Sequence, residues 1–157
     1  MQYFKQTVYI LALAGAVALA VNHVPRTRLS IADYDPRPDV AETARQQDLP
    51  TVDLAEAFEL FNSGGAVFVD ARPSELFAQG RIPGAFNVPE KESGDFLTQF
   101  TGMVTVEEHV VVYCDGDECL ASVHVAEQLS ARGYRNVSVF FGGWMAWTDA
   151  AYEIEWD

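Results

Sequence analysis

Cys114 and Cys119 are the two cysteines of the chain, five positions apart, with none elsewhere to build a disulfide framework. So placed, they suit thiol chemistry better than stapling. A zinc site would need two more ligands, and His23, His109 and His124 show no metal-ligand spacing relative to the cysteines, so no metal is expected. Cys114 ends the apolar run VVVYC at residues 110–114. The loop after it, Asp115, Gly116, Asp117, Glu118, Cys119, Leu120 and Ala121, leads into a helix beginning near Ser122. Backbone amides at such a helix N-terminus favour a negative atom, a thiolate or a persulfide, over a neutral one.

The elements that must hold this loop can be read from periodicity. Asp53 and Glu56 have the spacing of a capping box, and Leu54, Ala57, Phe58 and Phe61 then recur at helical spacing until Asn62, Ser63 and two glycines stop the run. Residues 66–70 (AVFVD), 110–114 and 137–141 (VSVFF) are continuous apolar runs, the pattern of strands buried on both faces. Between the last two, Ser122, Val125, Ala126 and Leu129 line one helix face that Gly133 ends. Alternation of strand and helix implies an α/β domain, a mainly parallel sheet covered by helices on both sides. In such sheets ligands bind beyond the carboxyl ends of the strands, where Cys114 falls.

The remainder of the chain divides unevenly. Residues 1–50 hold five basic and five acidic residues, whereas residues 51–157 hold five and eighteen, so the net charge of −13 belongs to the second part. That surface repels nucleic acid, which is excluded as a partner. Residues 6–25 carry no formal charge and centre on the run VYILALAGAVALAV at 8–21, long enough as a helix to span a membrane. Residues 1–25 therefore read as an N-terminal transmembrane anchor or a signal peptide. The anchor is preferred, because apolar character persists through Val21 and Val24, past the small-x-small site Ala18, Leu19, Ala20. Lys5 on one flank and Arg26 and Arg28 on the other leave the orientation open. Residues 26–50, with prolines at 36, 38 and 50 and no sustained apolar period, read as a semi-extended linker. The globular domain is expected over 51–157.

Three stretches taken together resemble the rhodanese family: Val69, Asp70 and Arg72 with Glu75; residues 80–89 (GRIPGAFNVP); and residues 111–114 (VVYC) followed by 142–147 (GGWMAW). The resemblance covers residues 51–157 and implies a doubly wound sheet of about five parallel strands. It further implies a sulfurtransferase in which Cys114 takes a sulfane sulfur from a small-molecule or protein persulfide donor. Cys114 would then hold it as a persulfide and pass it to a thiol acceptor, with no cofactor. The similar arrangement of anchor plus domain suggests an extracytoplasmic or periplasmic side and leaves room for a membrane-protein partner. If that compartment is oxidising, Cys114 and Cys119 could close on each other, which requires Cα atoms roughly 4.4–6.8 Å apart.

The sequence also departs from the family. Where the family has an arginine about five positions after the cysteine, this chain has Cys119, and no arginine occurs before Arg132. If Ser122 stands for the family's hydroxyl residue, the loop is about two residues longer than usual. It is then similar in length to the phosphatase and arsenate-reductase branch, whose anion clamp Asp115, Asp117 and Glu118 would oppose. Two further alternatives stay open, a catalytically silent interaction module and a thiol redox protein cycling Cys114 and Cys119. Asp70 and Arg72 read as loop-fixing residues, through an Arg72 to Glu75 ion pair or bonds to loop backbone. Arg81 reads as a surface residue in a tight turn, and Trp144 and Trp147 as core packing.

Overall fold

The computed structural model describes residues 39–157. The anchor or signal peptide expected over 1–25, and the linker as far as residue 38, lie outside the described residues. Among the described residues no helix is long and apolar enough to cross a membrane.

In chain order the elements are α1 (Val40–Gln46), β1 (Thr51–Val52), α2 (Leu54–Ser63), β2 (Val67–Asp70), α3 (Ser74–Gln79) and β3 (Phe86–Asn87). There follow a 3₁₀ turn (Glu90–Glu92), α4 (Ser93–Met103), β4 (His109–Tyr113), α5 (Ala121–Ser130), β5 (Asn136–Phe140) and α6 (Gly143–Asp149). The five strands form one sheet in the order β1-β5-β4-β2-β3, and every pairing is parallel.

The apolar runs build this sheet because each strand alternates its side chains between two cores. Val69, Val110, Val112, Val137 and Val139 enter one core, with Val40 and Ala44 of α1, Leu97 and Phe100 of α4 and Leu129 of α5. Phe68, Val111, Tyr113 and Phe140 enter the other, with Ala57 of α2 and the fully buried Trp147 of α6. A period of two along apolar strands thus supplies both faces, as helices on both sides require. The Asp53–Glu56 capping box starts α2 as expected, and Gly64, at φ 62°, ends it in the left-handed conformation that favours glycine.

The described part of the stretch read as a linker departs from that reading. From Asp39 the chain caps and enters α1, whose Val40 and Ala44 are fully buried, and Leu49 follows them into the core. These three apolar residues, spread among polar neighbours, are too few to make a visible period, and their burial comes from tertiary packing. The domain therefore includes residues ahead of Thr51. β4 also begins one residue early, at His109, so Cys114 is the first residue beyond the strand and not its last.

Candidate functional site

β4 lies between β2 and β5, so its carboxyl end opens at the middle of the sheet edge. Cys114 sits there, 3% exposed, and the loop from Asp115 turns back into α5. The structure joins Cys114 to Cys119 in a disulfide with Cα atoms 6.1 Å apart, inside the range expected for the pairing.

Main-chain bonds hold the loop's path. The Trp144 amide donates to the Cys114 carbonyl and the Met145 amide to the Asp115 carbonyl, each at 2.8 Å, so the start of α6 grips the first two loop residues. The Val40 amide of α1 donates to the Asp117 carbonyl at 3.0 Å, and the Cys119 amide closes a turn onto the Gly116 carbonyl at 3.0 Å. The approach of α6 depends on Gly143. Its φ is 55°, and a Cβ there would lie 2.5 Å from the Cys114 oxygen and 2.9 Å from the Gly116 nitrogen. No side chain caps α5, although the buried Ser122 hydroxyl donates to the Cys119 carbonyl at 3.4 Å. The partial positive charge of the α5 N-terminus is therefore not taken up by a capping carboxylate or hydroxyl.

Two clefts flank the loop. A smaller one of about 260 Å³ lies toward Pro73, Ser74 and the 3₁₀ turn, and both cysteines border it. A larger one of about 940 Å³ lies toward the start of α2 and the outer side of α6, with Cys119, Leu54, Phe141 and Met145 among its walls. Cys119 borders both. Asp117 and Glu118 are exposed and Asp115 is half-buried, so the acidic side chains are directed toward solvent and the clefts. The Asp115 carboxylate and the two sulfurs form the group of metal-ligand atoms that converge here, all within 4.8 Å, with the sulfurs bonded to one another.

Asp70 and Arg72 bond to one another and to main-chain atoms, the second of the two alternatives, and not to Glu75. Arg72 forks onto Asp70, with Nε at 3.0 and 3.1 Å and an Nη at 2.6 Å, and donates to the Gly80 carbonyl at 2.7 Å. Its other Nη lies 3.8 Å from Asp115, and the guanidinium stacks 4.5 Å above Trp144. The expected Arg72 to Glu75 pair gives way to these bonds, because Asp70, fully buried at the end of β2, is nearer and needs a partner. Burial works against the Arg72 charge, but bonding and charge pairing with Asp70 outweigh it and hold the guanidinium more firmly protonated than usual. Burial, reinforced by the Asp70 charge, pushes the Tyr113 phenol well above its ordinary range, so it stays protonated while it accepts from the Ile82 amide.

Three other residues fall differently from the sequence reading or complete it. Arg81 is 8% exposed, not a surface residue, because the C-terminal Glu155 and Asp157 pair with it and Phe77 lies beneath it. His109 bonds through Nε2 to Ser138, with burial lowering its pKa, and His124 pairs with Glu90 at the rim of the smaller cleft. Neither lies in the cysteine loop. The grip of Val40 on Asp117 and the close approach at Gly143 were not anticipated. The paired glycines directly after the β5 run were the available signal for the second, and the first had none.

The chain matches the family model described as Rhodanese-like domain over residues 53–150. It is 25% identical to rhodanese-like domain-containing protein 17 of Arabidopsis thaliana, over 87% of this chain and 84% of that one. It is 34% identical to the thiosulfate:glutathione sulfurtransferase of Homo sapiens, over 61% of this chain and 93% of that one. Among solved structures it is similar to the rhodanese-like domain of a protein from Anabaena sp., with TM-score 0.58 and 24% identity, covering 69% of this chain and 80% of that one, a likeness of fold.

Proposed function

The chain belongs to the rhodanese-like domain family, and from that membership we propose that it is a sulfurtransferase whose carrier is Cys114. The observation that carries the reading is the place of Cys114, at the carboxyl end of the central strand and ahead of a helix no side chain caps. In the reduced protein the Cys114 thiolate attacks the outer sulfur of a persulfide donor, the donor's S–S bond breaks, and a thiol leaves. The resulting persulfide carries a negative terminal sulfur, which the α5 N-terminus favours. An acceptor thiolate then takes that sulfur and returns Cys114 to its starting state. The name of the human relative, thiosulfate:glutathione sulfurtransferase, agrees with this class of reaction.

Asp115, Asp117 and Glu118 bias the choice of donor. Thiosulfate would bring two negative charges toward three carboxylates, so persulfides of protein or low-molecular-weight thiols are the better donors. The disulfide form has no thiolate to load and must be reduced before transfer. To test the reading, the reduced protein is exposed to a persulfide donor, quenched within the first turnover and weighed intact. Gain of one sulfur, absent from Cys114→Ser, supports transfer. Loss of two hydrogens by wild type, with hydrosulfide released and no sulfur taken up by Cys119→Ser, would favour a thiol redox protein, and no change a silent interaction module.

The uncharged residues 6–25 support a second part of the proposal, a single N-terminal anchor that holds the domain at a membrane, with the extracytoplasmic side proposed from the family resemblance alone. The full chain should then stay with membranes through a carbonate wash. A mature N-terminus at Val21 would show a removed signal peptide instead.

A further inference from the structure

The two cysteines differ in access. Cys114 is 3% exposed and borders the smaller cleft, whereas Cys119 is partly exposed and borders both clefts. Main-chain bonds at Cys114, Asp115, Gly116, Asp117 and Cys119 support the path of the loop between them. That path brings the Cys119 sulfur onto the Cys114 sulfur, with Cα atoms 6.1 Å apart.

We infer that Cys119 is the resolving thiol of a persulfide reduction, attacking the inner sulfur of the Cys114 persulfide to release hydrosulfide and close the Cys114–Cys119 disulfide. This rests on the reading of Cys114 as the acceptor of sulfane sulfur. The geometry selects the inner sulfur as the point of attack, because the disulfide shows that the loop carries one Sγ to the other. The outer sulfur of a persulfide would lie a bond length farther on. Leaving-group chemistry agrees, since hydrosulfide is the conjugate base of a stronger acid than an alkyl thiol and departs more readily than an alkyl thiolate would.

The steps balance. In loading, a persulfide R–S–SH and the Cys114 thiol give R–SH and the Cys114 persulfide, one S–S bond forming as another breaks. In resolution, the Sγ–Sγ bond forms as the persulfide S–S bond breaks, and the Cys119 proton leaves with the sulfur. The sulfane sulfur is reduced to sulfide, and the two protein thiols are oxidised to a disulfide. An external dithiol then supplies two electrons and two protons and departs as its own disulfide. Cys119 is the sulfur such a reductant meets first from the larger cleft, and attack there frees Cys114 as the thiolate that the next donor needs. The same site would therefore reduce sulfane sulfur to sulfide whenever a dithiol, and not an acceptor thiol, reaches the loop.

The test uses the full chain, reduced and then freed of reductant, mixed with stoichiometric glutathione persulfide, with release from the donor alone subtracted. Wild type is expected to release hydrosulfide and end two hydrogens lighter by intact mass. Cys119→Ser is expected to gain one sulfur, keep it and release none. The inference is overturned if wild type retains the added sulfur with its thiols unjoined, or if Cys119→Ser releases hydrosulfide as fast as wild type. A folded Cys119→Ser protein that takes up no sulfur would instead overturn Cys114 as the acceptor. Cys119→Ala, read the same way, replaces the serine variant if circular dichroism shows that it has not folded.

Discussion

Two loops leave the same sheet edge side by side, one after β2 and one after β4, from strands paired in register at Asp70 and Tyr113, and they are built on opposite plans. The loop after β2 is fixed by side chains: Asp70 and Arg72 are 0% and 2% exposed and locked in a fork, and Asn87 donates to the carbonyls of both. The loop after β4 is held largely through its main chain, gripped by amides of α6 and α1, with the Cys114–Cys119 disulfide and the Arg72 to Asp115 contact added to it, and its residues line the clefts. Side chains spent on holding a loop cannot also meet a substrate. The division is consistent with the proposal that Cys114 and Cys119 do the chemistry, since Asp70 and Arg72 are buried in bonds to one another and to the main chain.

The largest effect that this contrast predicts is on stability. Asp70→Ala leaves the Arg72 charge buried without its main partner and should cost about 3–5 kcal/mol, read from denaturant unfolding. Joint replacement of Asp70 and Arg72 by apolar residues should cost less than Asp70→Ala alone. If Asp70→Ala proves neutral, the brace is not what holds the β2 loop.

Next comes the main-chain plan. Gly143→Ala adds a Cβ at positive φ against the Cys114 carbonyl and should cost about 2–4 kcal/mol while displacing the cysteine loop. Sulfur loading should fall with it. A Gly143→Ala protein as stable and as readily loaded as wild type would show that α6 can approach the loop by another route.

The Asp117 side chain of the cysteine loop should behave in the opposite way, altering chemistry and leaving stability alone. Asp117→Asn, at an exposed carboxylate, should change stability by less than about 0.5 kcal/mol. A carboxylate roughly 8 Å from the reacting sulfur, at an effective dielectric of about 40, opposes an incoming negative charge by on the order of 1 kcal/mol. Thiosulfate brings two such charges, so Asp117→Asn and Glu118→Gln should each raise its turnover by up to about thirtyfold at low ionic strength, and less as salt screens the field. A rate that ignores both charge and salt would remove the loop's part in donor selection.

The smallest effect lies at the outer end of the brace. Arg72 bonds the Gly80 carbonyl, and the adjoining Arg81 is clasped by Glu155 and Asp157, with Glu155 also accepting from the Gly84 amide. The Gly84 amide and Arg81 hold the Glu155 carboxyl below its ordinary range. A depressed carboxyl adds stability that is fully present above its unfolded pKa and is lost as pH falls through the folded one. Hydrogen exchange at Arg81 and Glu155, whose amides pair across the clasp, should therefore quicken below the ordinary glutamate range, before the sheet opens. In Glu155→Gln that pH dependence should flatten.

The parts of this molecule legible in its sequence are those where pattern and packing agree. The runs that became β2, β4 and β5 are apolar throughout because both faces of the sheet are covered, and the capping box of α2 is a local bond between residues three apart. The place of Cys114 at the end of β4 could be read to within one residue because a strand end is a local feature. The sequence pattern did not reveal α1, whose burial is carried by two apolar residues, Val40 and Ala44, nor β3, whose two residues, Phe86 and Asn87, are too short for any period. Arg81 was misjudged because its partners lie 74 and 76 residues away, and no local pattern announces a clasp of that span. The partners of Arg72, Asp70 and Asp115, were not legible either, since choosing among nearby carboxylates requires knowing which are buried.

The claim that Cys114 carries the sulfur is tested most directly by locating it. Reduced Cys119→Ser protein, in which the carried sulfur should stay in place, is exposed to a persulfide whose outer sulfur is isotopically labelled, then alkylated, digested and mapped. The label is predicted on the peptide that contains Cys114, and a parallel Cys114→Ser protein should carry none. Label retained at an undiminished level by Cys114→Ser would contradict the account.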